Sequence, residues 1–214
     1  LGSISSKSCH FIGRCRNRRD AAPLSARGAA RNQTFAAQKR KNDMDTGLLL
    51  IRLALGLTLA AHGAQKLSRA FGGHGLAGSA TVFESLGFRP GKPLALLAGL
   101  GEGAGGLALA FGLFTPLAAA VIFATMLVAV FGVHWEKGFF SQQGGYEFPL
   151  VLGVTAVGLA FTGPGRWSLD AFVGLPFAGL PWGAAAIGLG VLGALPPLVL
   201  RSIALQRNTA RVAR

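Results

Sequence analysis

Cysteine is nearly missing from this 214-residue chain: there are two, Cys9 and Cys15, both near the amino end. Everything after Cys15 therefore excludes a disulfide framework, a cysteine-based zinc site and an iron–sulfur cluster. Acids are also scarce, with eight Asp and Glu in all. Charged residues of both signs make up 14% of the chain, where a soluble domain carries roughly 25%. With 51% hydrophobic residues and a mean hydropathy of +0.48, so few charges cannot coat a soluble globule of 22.0 kDa. The same apolar content excludes a disordered chain. The class that remains is an integral membrane protein.

What charge there is lies unevenly. The net charge is +13, and residues 1–43 hold ten of the 21 Lys and Arg against only Asp20 and Asp43. The basicity thus belongs mainly to a tail, and no nucleic-acid partner follows for the body. Three readings of residues 1–43 stand side by side. One is a disordered basic tail that touches anionic lipid, each cation contributing about 1 kcal/mol. Another is an Arg- and Ser-rich organellar transit peptide. The third is a segment upstream of a true start at Met44. The Cys9-His10 pair is read as a bystander, and no metal site is assigned.

A helix that crosses a bilayer core of about 30 Å needs about 20 mostly apolar residues. Thr46–Ala64, Pro93–Phe114, Pro116–His134 and Tyr146–Gly163 meet that description, the last somewhat short. Trp182–Leu200 adds a fifth, with Pro196-Pro197 near its end implying a kinked or interfacial segment as the alternative. The fold class predicted is an all-α membrane protein. It is a four-helix transmembrane bundle over residues 44–172, with an additional C-terminal transmembrane helix over 173–200, a basic arm over 201–214 and a disordered basic N-terminal tail. In the long 65–92 connection, Phe83–Phe88 (FESLGF) reads as a short amphipathic helix in the interface. Gly99/Gly103 and Gly101/Gly105 are small-xxx-small pairs that let helices approach closely. A nucleotide-cradling reading of Gly101, Gly103 and Gly106 fails, because no strand precedes them. Loop charges leave the orientation across the membrane open.

Ionisable residues at membrane depth cost several kcal/mol unless paired, so each is a functional candidate. They are Arg52, Glu102, His62, His134, Tyr146 and Glu147. In an up-down bundle, the end of the first helix, the start of the second, the end of the third and the start of the fourth share one membrane face. His62, Lys66, His134, Tyr146 and Glu147 are thereby gathered on one side, with Glu102 about 13 Å below it. Arg52 lies about 18 Å below the same surface, close enough to predict an Arg52–Glu102 ion pair inside the bundle. The plainer alternatives are an Arg52 that snorkels to the opposite surface, histidines that meet water or carbonyls at helix ends rather than haem, and a Glu147 that answers a helix dipole.

HGAQKL (His62–Leu67), GEGAGG (Gly101–Gly106), LFTP (Leu113–Pro116), the VH ending at His134, GGYEFPL (Gly144–Leu150) and GPGRWSLD (Gly163–Asp170) stand in that order. Together they resemble the DoxX family of small bacterial membrane proteins, over about Asp45 to Phe172. The resemblance implies a four-helix membrane bundle related to a subunit of a thiosulfate:quinone oxidoreductase. The positions matching the family pattern are Arg52, His62, Gly63, Lys66, Glu102, Gly106, His134, Gly145, Tyr146 and Glu147. The resulting expectation is a multi-pass plasma-membrane protein, a subunit of a quinone-linked oxidoreductase system acting in sulfur or oxidative-stress chemistry. Glu102, His62 and His134 are the catalytic candidates, and Arg52, Lys66, Tyr146 and Glu147 the ligand-binding ones. No cofactor is expected in the chain itself, with quinone as the exchangeable one. The expected partners are the bilayer, a soluble redox or sulfurtransferase protein, and further copies of the chain. Two other classes stay open: a non-enzymatic scaffold or assembly factor, and a small-molecule transporter.

Overall fold

The computed structural model describes residues 24–175 and 177–212. Among them every regular element is a helix: α1 (Leu24–Leu67), α2 (Gly75–Ser85), α3 (Gly91–Phe111), α4 (Thr115–Ala129), α5 (Glu147–Thr162), α6 (Leu169–Phe172) and α7 (Leu180–Val212). A π-helical turn, Val130–His134, prolongs α4. The chain divides into two units, Leu1–Lys41 and Asn42–Arg214. In the first, residues 24–41 are helical. The reason is composition: Ala, Arg, Gln and Lys dominate there, and all are good helix formers without any apolar stripe. Residues 1–23 of the expected tail lie outside the described residues.

The second unit is the bundle. α1 and α3 meet through glycine. The Cα hydrogens of Gly56 face Gly106 and Ala110, and those of Gly63 face Gly99 and Gly103. A turn containing Gly112 (φ +63°) and Phe114 (φ +44°) folds α3 back into α4. α4 is the central helix, packed on α3, α5 and α7. It buries Ala118, Ala119, Ala120, Ile122 and Met126 against Leu55, Leu59, Leu109, Ala156, Leu159, Ala160 and Ala186. The interior is thus built largely from small side chains. Large ones point outward: Leu50, Leu57, Leu97, Phe111, Leu117, Val151, Val154, Leu189 and Leu192 are all exposed. A surface this apolar is stable only against acyl chains. α1, α3, α4 with its following turns, and α7 are long and apolar enough to cross a membrane, and α5 is a shorter apolar helix of 16 residues.

Two segments complete the periphery. α7 runs through Pro196 and Pro197 without ending, and residues 201–212 of the basic arm continue it as helix. Neighbouring helices hold a proline-bearing membrane helix in place; here α4 packs along it, with Phe123 and Ala124 against Gly190 and Gly193. The FESLGF stretch does not form a separate helix. Phe83–Ser85 form the last turn of α2, which packs on α3, while Gly87 turns the chain at φ +88°. Phe88 is only 1% exposed and lies under Gly132 of the π turn.

The α1–α3 contact leads to a sharp expectation. A Cβ on Gly63 would sit 2.5 Å from the Gly103 Cα and 2.6 Å from the Gly99 carbonyl oxygen. These are backbone atoms that cannot move aside, so Gly63→Val should destabilise the bundle by about 3 kcal/mol or more. Gly158 has nothing within 4 Å of its Cβ position. Gly158→Ala should therefore stay within about 1 kcal/mol of the parent. Thermal unfolding in detergent, read by size-exclusion of the soluble fraction, compares the two.

Candidate functional site

The site grows from one face of α1. Leu59, His62 and Lys66 recur at three- and four-residue spacing, so their side chains project from the same side of the helix. Gly63, between them, brings α3 close enough for Lys66 to form an ion pair with Glu102. Glu102 is 6% exposed, so its carboxylate would be expensive at this depth without that partner. The Lys66 carbonyl, at the end of α1, accepts the Ser79 hydroxyl of α2 at 3.1 Å, which fixes the helix end over the site.

The histidines approach from two sides. The His62 ring meets the Phe148 ring edge-on at 6.0 Å. His134 closes the π turn after α4, and its Nδ1 lies 2.6 Å from the Gly144 carbonyl oxygen. A carbonyl only accepts, so Nδ1 carries the hydrogen and donates, leaving Nε2 for other partners. His62, Lys66, Glu102, His134 and Thr125 all line one cavity of about 470 Å³. The rest of its wall is apolar, including Leu59, Phe83, Leu86, Phe88, Leu94, Met126 and Leu152. A few polar groups in a mostly apolar hollow of this size is the usual make-up of a small-molecule site.

Three predicted site residues lie elsewhere. The Tyr146 ring stacks on Trp135 at 5.1 Å and meets Phe139 edge-on at 5.5 Å. Glu147 turns back to its own loop, accepting from the Ser141 amide and hydroxyl, each at 3.0 Å. Neither lines the cavity. Arg52 does not pair with Glu102. The glycine contacts set Gly63 opposite Gly99 and Gly103, and Gly56 opposite Gly106 and Ala110. Glu102 is therefore level with Gly63, and Arg52, eleven residues away, is offset by about 16 Å along the axis.

Arg52 instead serves the opposite end of the bundle, and it does not snorkel. It is fully buried, donating through Nη1 to the Pro164 carbonyl and through Nη2 to the Trp167 carbonyl. Asp170, equally buried, supplies the opposite charge. It accepts from the Phe114 amide at 2.7 Å, the Thr115 amide at 2.9 Å and the Thr115 hydroxyl at 2.6 Å, which caps the start of α4. The LFTP and GPGRWSLD stretches are thus two halves of one joint, with Arg52 as its pin. The sequence reading did not assign Asp170. The available signal was Ser168, whose hydroxyl accepts from the Ala171 amide at 3.2 Å and starts the short α6 that carries Asp170.

Residues 47–135 match the DoxX family. That stretch contains Arg52, His62, Lys66, Glu102 and His134. A protein of Bacillus subtilis (strain 168) named "Putative oxidoreductase CatD" is 30% identical over 129 residues, which is 60% of this chain and 88% of that protein. No solved structure matches.

Proposed function

The chain belongs to the DoxX family, and from that premise we propose that its cavity takes a quinone and that the protein is a quinone-linked subunit of a membrane oxidoreductase. It is a multi-pass membrane protein, and the reading places it in the plasma membrane. The observation that carries the proposal is the make-up of the cavity: about 470 Å³, apolar over most of its wall, with an ion pair and two histidines as its principal polar features.

Those residues fit the chemistry of a quinone. Apolar side chains such as Leu94, Met126 and Leu152 suit its ring and isoprenoid tail, while Lys66 and His62 can donate hydrogen bonds to carbonyl oxygens. A bound quinone supplies the capacity to take up two electrons and two protons. The chain's own contribution is to hold and deliver protons. Glu102 accepts or releases one beside Lys66, and His134, with Nδ1 engaged by Gly144, works through Nε2. Electrons would come from a soluble redox or sulfurtransferase partner, consistent with a relative whose name is that of an oxidoreductase.

The test is extraction. Protein purified from native membranes in mild detergent should yield about one quinone per chain in organic extract. Depleted protein should be stabilised against heat by a short-chain quinone but not by its saturated hydrocarbon analogue. Extracts holding lipid alone, together with no stabilisation by added quinone, would defeat the reading.

A further inference from the structure

A second cavity, of about 620 Å³, lies away from the Lys66–Glu102 site. Its walls are Arg89, in the loop joining α2 to α3, and one face of the distal half of α7. On that face Leu200, Ile203, Arg207 and Asn208 follow at helical spacing, so apolar side chains give way to polar ones along a single strip. The apolar part of α7, Leu180 to Leu200, is about 31 Å long and so spans the hydrocarbon core. Leu200 and Ile203 therefore lie at its edge, and Arg207, about 10 Å beyond Leu200, lies at headgroup level.

The two walls are held together by a residue that is itself occupied. Arg201 donates through Nε to the Leu86 carbonyl at 2.9 Å, and its guanidinium lies over the Phe88 ring at 5.7 Å. Arg89 and Arg207 are different: among the described residues neither has an ion-pair partner, and no acid lines the cavity. Glu84, the acid on the neighbouring helix α2, is engaged by the Gly91 amide at 3.3 Å.

We propose that this cavity binds an anionic phospholipid, with its phosphate between Arg89 and Arg207 and an acyl chain along Leu200 and Ile203. Two guanidiniums match a phosphate that presents several acceptor oxygens. The apolar strip one to two turns below them matches the chain attached to that phosphate, which a free anion lacks. Basic pockets beside membrane helices take anionic headgroups for the same reason. The lipid would seal the loop before α3 against α7, at the rim of the bundle.

The experiment titrates full-length protein in detergent with phosphatidylglycerol and reads binding by native mass spectrometry and thermal shift. Removing both charges in Arg89→Gln/Arg207→Gln should raise the half-saturating concentration roughly thirtyfold. Lys92→Gln/Lys137→Gln removes the same charge from the same membrane face outside the cavity, and should leave it within about threefold. Arg89→Lys/Arg207→Lys, which keeps both charges, should retain saturable binding if the Gln variant proves too unstable to purify. Lipid copurifying with the unmutated protein should be anionic. Equal losses in both Gln variants would overturn the site, because the attraction would then be diffuse. Equal stabilisation by phosphatidylcholine, or by inorganic phosphate alone, would overturn it too.

Discussion

Replacing Arg52 with Met should leave little folded protein, a loss of about 3–5 kcal/mol. The side chain is fully buried, and its removal strands three groups at once. The Pro164 and Trp167 carbonyls lose their donors, and Asp170 loses the opposite charge that balances it. Each stranded acceptor carries a desolvation penalty of about 1–3 kcal/mol. Against a total stability of roughly 5–15 kcal/mol, that is enough to empty the native state of a small bundle. Arg52→Lys should rescue only in part, since an ammonium cannot reproduce the planar fork that reaches two carbonyls together. Arg52→Met combined with Asp170→Asn should recover more than the sum of the single losses implies, because the second change removes the unbalanced charge. The measurement is the monodisperse fraction on size-exclusion after heating. An Arg52→Met protein as heat-stable as the parent would show that the joint between α1, the α3–α4 turn and the 163–170 loop contributes nothing.

That joint shows where sequence reasoning ran out. The membrane class and the helices followed from composition and run length, because an apolar stretch of about 20 residues has few other homes. The gathering of His62, Lys66 and His134 with Glu102 followed from up-down topology, which fixes which helix ends share a face whatever the detailed packing. Axial register does not follow from topology. It is set here by Gly56 and Gly63 seating into the backbone of α3. The end of α1 at Leu67 lies level with a point about six residues inside α3, and treating the two helix ends as level was what paired Arg52 with the wrong acid. Tyr146 and Glu147 lie on the expected face, but the 138–145 loop turns them onto Trp135 and Ser141. Loop conformation of that kind rests on positive φ at Gly138 and Gly144, which residue spacing does not encode. Asp170 escaped notice because it lies beyond the last core span, in a loop whose role is visible only once α4 is seen to start against it.

Glu102 and Lys66 offer the variant set that separates a chemical site from a structural one. Glu102→Gln alone should lower stability by about 1–3 kcal/mol: the ammonium loses its counter-ion, but Lys66 remains 27% exposed and keeps some hydration. Lys66→Met alone should cost a similar amount, because it leaves the Glu102 carboxylate without its partner. Replacing both, as Lys66→Met/Glu102→Leu, removes the charges together, and apolar pairs of similar volume are often as stable as the buried ion pairs they replace. The double variant should therefore fold like the parent. If the pair serves only to join α1 to α3, this protein should keep all of its membrane activity and its affinity for added quinone. If the cavity holds a quinone through Lys66 and moves protons through Glu102, the double variant should be well folded and inactive. General acid–base groups contribute about 100- to 10,000-fold to rate, so the expected drop in quinone reduction by membranes is at least about a hundredfold. Quinone-dependent thermal stabilisation should disappear with it. A stable double variant that still binds and supports reduction at the parent's level would remove the proton-handling role from this pair, and with it the reason to regard the cavity as a reaction site.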